Sequence, residues 1–205
     1  MDFKFSKSIN DIKFKLIDTN NKTNKRRLGL ATHNPIPCKS GCSGCCKRMV
    51  KITIAEGMII YDHLVSTKQW EKVGVEARKQ LEIVKNSDPL SWFSMGIECP
   101  VLDKKKKTCK AYLVRPAMCA SHFVKSNPDL CDPHTNSIGN ENHFKPLDFD
   151  DLVEEFLVYL INNTRAYGVL QVQLPIPVSL LMAESINAQT GLRVEQLISL
   201  MYKEL

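Results

Sequence analysis

Cys38-Lys39-Ser40-Gly41-Cys42-Ser43-Gly44-Cys45-Cys46 places four thiols within nine residues, with two glycines between them. Thiolates are soft ligands that suit zinc, iron and iron-sulfur clusters. The glycines allow the backbone to wrap closely enough for several sulfurs to approach one centre. This stretch therefore predicts a metal-binding loop, to which the rest of the fold must be attached.

The composition is that of a soluble globular protein. The chain has 205 residues, of which 43% are hydrophobic and 24% are charged. These values argue against disorder and against a membrane protein, and no apolar run approaches the roughly 20 residues of a spanning helix. The length favours one domain, or one domain with an appendage.

The cysteine content indicates metal or redox chemistry. The N-terminal sequence Met1-Asp2-Phe3-Lys4-Phe5-Ser6-Lys7 lacks the apolar core of a secretory signal, so we expect a cytoplasmic protein. In that reducing compartment the eight cysteines favour metal binding over a disulfide framework, which stays as the weaker alternative.

The positive charge is a weak indication of a nucleic-acid partner. The formal net charge is +6, but each metal-bound cysteine is deprotonated and removes part of that excess. The densest basic run is Lys104-Lys105-Lys106-Lys107, which we interpret as a solvated turn. We therefore expect neither a nucleic-acid nor a membrane partner, whereas a protein partner is compatible with the sequence.

The segment before the first cysteine is the hardest to interpret. Residues 1–37 are predicted to be irregular, and the alternating apolar residues Phe3 and Phe5, then Ile12, Phe14 and Leu16, suggest short strands. After the loop, residues 49–52 predict a short strand.

Helices are predicted on both sides of a small hairpin. Thr53 and Glu56 have the spacing of a capping box, so a helix should begin there, followed by a second from about Lys68 to Val84. The C-terminal third predicts further helices: one capped by Asp148 or Asp150 and ended near Gly168, and two over 178–188 and 192–202.

Two extended runs joined by the lysine turn predict a β-hairpin with Cys99 on one arm and Cys109 on the other. Pro116 fits the first turn of a helix that carries Cys119. The predicted fold is mainly α: a helical domain with a cysteine-rich metal-binding loop and a small β-hairpin. Its parts are the irregular segment 1–37, the cysteine-rich region 38–134, and a helical region 135–205 packed with it.

The order of these residues resembles the CxxCxxCC family of zinc- or iron-chelating proteins. The resemblance covers residues 38 to 122 and follows Cys38-x3-Cys42-x2-Cys45-Cys46, then Cys99-Pro100-Val101-Leu102-Asp103, Cys109 and Tyr112-x2-Arg115-Pro116-x2-Cys119. The gap of three residues after Cys38 departs from the family name, and Ala120 stands where an arginine is expected. The resemblance implies seven metal ligands: Cys38, Cys42, Cys45, Cys46, Cys99, Cys109 and Cys119.

The identity of the metal stays open at this point. Adjacent cysteines such as Cys45 and Cys46 bind one small ion awkwardly, and seven thiols exceed one mononuclear site. An iron-sulfur or multinuclear iron centre is therefore slightly favoured over zinc. Cys38, Cys42 and Cys45 also have the spacing of radical S-adenosylmethionine enzymes, but the chain offers too few strand-helix units for their barrel.

Several residues near the motif have two interpretations. In the first, Tyr112 and Arg115 help to bind the cofactor, with Arg115 neutralising the thiolates or donating hydrogen bonds to them. In the second, Arg115 pairs with Asp103 and Tyr112 packs beside the hairpin. His122 and His134 each lie three residues after a cysteine, a spacing compatible with metal ligation. Cys131 lies outside the motif and is interpreted as a spare thiol.

These observations favour a cytosolic metal-binding protein that holds iron or zinc, with no catalytic residue assigned. Two alternatives remain. Flagellin lysine methylases contain a similar cysteine region, which would imply S-adenosylmethionine-dependent methylation of a protein lysine. The basic stretches would suit a nucleic-acid interaction module stabilised by a structural metal.

Overall fold

The computed structural model of the protein describes residues 3–31, 36–38, 41–124, 127–133 and 149–188. Its helices are α1 (Phe3–Ala31), α2 (Ile54–Ser66), α3 (Trp70–Lys85), α4 (Pro89–Ser94), α5 (Ala117–Ser121), α6 (Asp150–Asn163) and α7 (Ile176–Asn187). Its strands are β1 (Lys51–Thr53), β2 (Leu102–Asp103), β3 (Thr108–Cys109) and β4 (Gln173–Pro175). The predicted mainly helical class is confirmed.

The N-terminal segment is a helix, so the expectation of an irregular segment with short strands is wrong over Phe3–Ala31. Ile9, Ile12 and Leu16 are buried, and their spacing of three and four residues places them on one helical face. Phe14, which the alternating pattern assigned to a strand, is 72% exposed. The helix packs along α6 and also against α5.

The helical pair α2 and α3 confirms the prediction from the capping box. The side chain of Thr53 accepts the backbone N–H of Glu56 at 3.2 Å, and the Glu56 carboxylate accepts the N–H of Thr53 at 2.9 Å. The predicted short strand is β1, which begins two residues later than expected. It pairs antiparallel with β4, with Ile52 opposite Leu174.

The C-terminal region is helical as predicted, but its boundaries differ. The residue before α6 is Phe149, with no side-chain cap, and Asp150 is already the first helical residue. The helix ends at Asn163, ahead of Gly168, which lies in a 3-10 segment. The helix predicted over 178–188 is α7, and the one predicted over 192–202 lies outside the described residues.

One hydrophobic core joins the described elements. It contains Ile12 of α1, Ile59 of α2, Phe156 of α6 and Leu180 of α7, all fully buried. Helices α2 and α7 approach closely at Gly57, where an added Cβ would lie 2.8 Å from the carbonyl oxygen of Ser179. None of the helices within the described residues is long and apolar enough to cross a membrane. The cysteine-bearing segments lie at the edge of this core.

Candidate metal centre

The cysteine loop is a tight turn followed by a 3-10 helix. Gly41 has φ +86°, a left-handed conformation that glycine adopts without steric cost. The 3-10 helix spans Gly44–Lys47, where the N–H of Cys46 donates to the Ser43 carbonyl at 3.0 Å. This local curl places Cys42, Cys45 and Cys46 around one concave surface.

A second turn packs directly on this loop. The 3-10 helix Pro128–Cys131 lies so close that a Cβ on Gly44 would be 2.9 Å from the Cβ of Cys131. Lys47 forms an ion pair with Asp132 beside this contact. Cys131, which the sequence suggested to be a spare thiol, is therefore buried next to the metal-binding loop.

The β-hairpin is attached to the loop by a backbone hydrogen bond. The N–H of Cys99 donates to the carbonyl of Cys46 at 2.8 Å. Cys109 is in β3, opposite Leu102, whereas Cys99, which the sequence assigned to the other arm, lies just before β2 begins. Burial raises the pKa of the Cys99 thiol, and the neighbouring Cys109 raises it further. Both cysteines line the same cavity.

Cys119 is positioned through a buried carboxylate. Pro116 precedes α5, as expected from the sequence, and the N–H of Ala117 donates to Oε1 of Glu56 at 3.0 Å. The other oxygen, Oε2, accepts from the N–H and the hydroxyl of Thr53, each at 2.9 Å. Glu56 therefore joins the start of α2 to the start of α5, which carries Cys119.

All seven motif cysteines line one cavity of about 1400 Å³: Cys38, Cys42, Cys45, Cys46, Cys99, Cys109 and Cys119. Cys45 affects the pKa of most of the other thiols. Burial is the first cause that raises the pKa of Cys38, Cys42, Cys99, Cys109, Cys119 and Cys131, and a negative charge on Cys45 is a further cause for each of them. For Cys131 the pKa rises to about 12. These six thiols therefore lie close enough to Cys45 to interact with it electrostatically.

Burial raises the pKa of Cys38, Cys42, Cys99, Cys109 and Cys119, which favours the protonated form of these thiols. A hydrogen bond with Cys46, and then burial, raise the pKa of Cys45 far above its usual range. Arg48 opposes this shift for Cys45, and Arg115 opposes the shifts of Cys109 and Cys119. A bound cation would favour the deprotonated thiolates, because it replaces their protons.

Arg115 and Tyr112 both line the cavity, and the guanidinium of Arg115 lies 4.1 Å from the centre of the Tyr112 ring. Arg115 is 8% exposed and donates to the side-chain oxygen of Asn24 on α1 at 3.2 Å. The alternative pairing with Asp103 is not what the structure contains, since the Asp103 carboxylate accepts the N–H groups of Lys105 and Lys106.

Helix α1 contributes two further groups that the sequence did not indicate. The amide of Asn20 donates to the carbonyls of Leu113 and Arg115, at 3.2 and 3.1 Å. Arg27 lines the cavity and donates to the carbonyl of Cys38 at 3.5 Å. The hydrogen bonds of Asn20 join residues 93 and 95 positions apart in sequence, and that of Arg27 joins residues 11 positions apart. No short sequence motif marks either residue.

Of the two histidines within the described residues, one lines the cavity and the other does not. His122 lines the cavity, where burial and then Arg48 lower its pKa. His63 instead lies 3.3 Å from the carbonyl of Lys110. His134 falls outside the described residues.

The shared cavity is wider than the coordination sphere of one ion. Within the described part of the chain, no three histidine, cysteine, aspartate or glutamate side chains converge on one ion-sized point. The backbone places the thiols along the lining of the same cavity, and their side chains remain spread along that lining.

The cysteine-bearing part of the chain matches a known family. Residues 37–143 match the profile of the CxxCxxCC family, described as "Putative zinc- or iron-chelating domain". The chain belongs to this family. The matched segment contains all eight cysteines of the sequence, while α1, α6 and α7 lie outside it. Searches of curated proteins and of solved structures gave no match.

Proposed function

We propose that this CxxCxxCC protein uses its clustered cysteine thiolates to hold more than one metal ion, as an iron-sulfur or multinuclear iron centre, with zinc as the alternative. The observation that carries the proposal is that seven motif thiols line a single cavity. Four thiolates saturate one tetrahedral ion, so seven suit a centre of several ions.

The chemistry of the donor set fits such a centre. The donors are soft sulfurs, and burial raises the pKa of Cys99 and Cys119, so that a bound cation would replace their protons. Arg27, Arg48 and Arg115 line the same cavity and can offset the excess negative charge of a metal-thiolate centre. Tyr112, beneath Arg115, would close the surface around it.

In this proposal Cys131 supports the loop that carries the ligands, since it is not among the residues that line the cavity. It packs on Gly44, one residue before Cys45, and its pKa responds to Cys45, Cys38 and Cys42. Because no three thiols converge on one point, loading would require the cysteine side chains to turn toward the metal, while the hydrogen-bonded backbone stays in place.

The test is elemental analysis with a visible spectrum on anaerobically purified protein. Iron with sulfide and a broad visible absorption would identify a cluster, iron without sulfide a multinuclear iron site, and colourless protein with zinc a thiolate site. We expect at least two metal ions per chain.

The matched variants are Cys45→Ser and Ser43→Ala, two changes in the same loop. The first should release most of the metal because Cys45 lies among the other thiols, and the second should keep it. A folded protein without metal, or a Cys45→Ser variant with its full metal content, would contradict the proposal.

A further inference from the structure

The motif thiols supply one ligand fewer than a centre of two units needs. A zinc ion in a structural site takes four protein ligands, and an iron-sulfur cluster is likewise held by four. Two such units without a shared ligand therefore need eight donors. The cavity is lined by seven motif thiols, so the motif leaves one position open.

Cys131 is the remaining cysteine, but its position does not suit this role. It is not among the residues that line the cavity. It is buried against Gly44 instead, where an added Cβ would lie 2.9 Å from the Cβ of Cys131. The eighth donor should therefore come from another residue of the lining.

The lining contains two other side chains that commonly bind metals. Imidazole and carboxylate bind zinc and iron beside thiolate, and the described lining holds one of each, His122 and Glu56. Both oxygens of Glu56 already accept hydrogen bonds, Oε1 from Ala117 and Oε2 from Thr53. That carboxylate joins α2 to α5. The imidazole of His122 is therefore the better donor.

His122 follows a motif cysteine by about one helical turn. It is the residue after α5, and Cys119 lies within α5, three residues earlier. Side chains three residues apart on a helical turn lie on the same side, and both of these line the cavity. Comparably short spacings join the paired ligands of zinc sites. His122 therefore reaches the cavity from the same element as Cys119.

Arg48 connects His122 with the cysteine loop. Burial lowers the pKa of His122, and the positive charge of Arg48 lowers it further. The same charge opposes the rise in the pKa of Cys45 that its hydrogen bond with Cys46 and burial cause. His122 and Cys45 therefore both lie within the electrostatic reach of one arginine. The neutral imidazole, which these surroundings favour, is the form that binds a metal.

We propose that His122 is the eighth ligand of the metal centre, a nitrogen donor that binds beside Cys119. The inference rests on the proposed function, since it adds one ligand to the same centre. A neutral imidazole also limits the charge that must be buried. Two divalent ions carry about −3 with seven thiolates and one imidazole, against about −4 with eight thiolates. As for the thiols, loading would turn the ring toward the metal, because no three potential ligands converge on one point among the described residues.

The test is loading of anaerobic, metal-free full-length protein with Co²⁺, followed by visible absorption and pulsed electron paramagnetic resonance. Co²⁺ accepts the ligand sets of zinc, and thiolate ligands give it strong charge-transfer absorption. A bound imidazole couples its nitrogen nucleus to the unpaired electrons of the ion. We expect about two Co²⁺ ions per chain, with both thiolate absorption and nitrogen coupling.

Variants of the histidine separate its role from that of the thiols. His122→Ala should abolish the nitrogen coupling and weaken binding of one Co²⁺ ion at least about tenfold, since loss of a residue that only supports a ligand already lowers metal affinity about 10–100-fold. His122→Cys should bind both ions, with added thiolate absorption in place of the nitrogen coupling. The control is His63→Ala, because His63 lies 3.3 Å from the carbonyl of Lys110 and does not line the cavity. His63→Ala and Cys131→Ser should both keep the two ions and the nitrogen coupling.

The spectrum of the wild type decides the question even if His122→Ala does not fold. Co²⁺ bound with thiolate absorption but without nitrogen coupling would refute the assignment of His122 and leave the metal centre intact. The assignment is also wrong if His122→Ala binds both ions like the wild type, or if Cys131→Ser loses one ion, which would make Cys131 the eighth ligand. A chain that binds neither Co²⁺ nor iron would refute the metal centre, and His122 with it.

Discussion

Replacing Gly44 by alanine tests whether the turns that carry Cys45 and Cys131 must touch. The added Cβ would lie 2.9 Å from the Cβ of Cys131, 3.0 Å from its carbonyl carbon and 3.2 Å from the nitrogen of Asp132. These neighbours are backbone atoms and a Cβ, which cannot rotate away as the end of a long side chain could. The two turns must therefore separate.

The expected cost follows from the effect of overpacking. Forcing an extra methyl group into a well-packed contact typically costs about 1–3 kcal/mol. In a protein of this size each kcal/mol lowers the melting temperature by about 2–4 °C. We expect the Gly44→Ala variant to melt about 2–12 °C below the wild type and to bind less metal, because Cys131 moves away from Cys45.

The matched control is Gly168→Ala. No atom lies within 4 Å of a Cβ at Gly168. Alanine at an unstrained glycine position stabilises a protein by about 0.4–1 kcal/mol, through the entropy of the unfolded chain. The control should therefore melt at or slightly above the wild-type temperature.

The assay is thermal unfolding followed by circular dichroism, on metal-loaded and on chelator-treated protein, with elemental analysis of the loaded samples. The difference in melting temperature that comes from the added Cβ should persist after chelation, whereas the difference that comes from lost metal binding should disappear. If Gly44→Ala matches the wild type in melting temperature and metal content, the contact between the two turns does not organise the site.

Three further predictions concern the buried supports of the site and its response to pH. Glu56→Gln should lower the free energy of unfolding in urea by about 1.5–3 kcal/mol, because an amide cannot accept every hydrogen bond of the carboxylate. The control is Glu71→Gln, at an exposed position. Equal urea midpoints for Glu56→Gln and the wild type would contradict the role of Glu56. Asn20→Ala should lower the free energy of unfolding by about 1–3 kcal/mol and weaken metal binding, since one buried and one part-buried carbonyl lose their donor. Asn163→Ala, on the exposed side of α6, should do neither. Metal affinity, measured by competition with a coloured chelator, should rise with pH by up to about one log unit per pH unit for each thiol deprotonated. Burial raises the thiol pKa values, to about 12 for Cys131, so this rise should continue above the ordinary thiol pKa of about 8.5, and a plateau below that pH would refute it.

Local patterns were enough to predict much of the scaffold. The capping box at Thr53 and Glu56 predicted the start of α2, because its hydrogen bonds join residues three apart. The hairpin of β2 and β3, with Cys109 in β3, was predicted from two short runs and the turn between them. Both are features in which residues near in sequence contact one another.

The N-terminal segment shows where local patterns fail. Phe3, Phe5, Ile12, Phe14 and Leu16 fit an alternating pattern over short windows, but the apolar spacing from Ile9 to Leu16 is helical. The choice depends on which side chains find a partner surface. Packing against α5 and α6 buries Ile12 and Leu16 and leaves Phe14 in solvent.

The sequence by itself determined the chemistry of this protein: the number of thiols, their grouping around Cys45, and the preference for a soft metal that follows from sulfur donors. Only the tertiary structure decided that all seven motif thiols line one cavity, that Cys131 packs against Gly44, and that Arg27 lines the same wall. The physical reason is distance along the chain. Gly44 and Cys131 are far apart in sequence, and their contact depends on how the intervening elements pack, which no local spacing encodes.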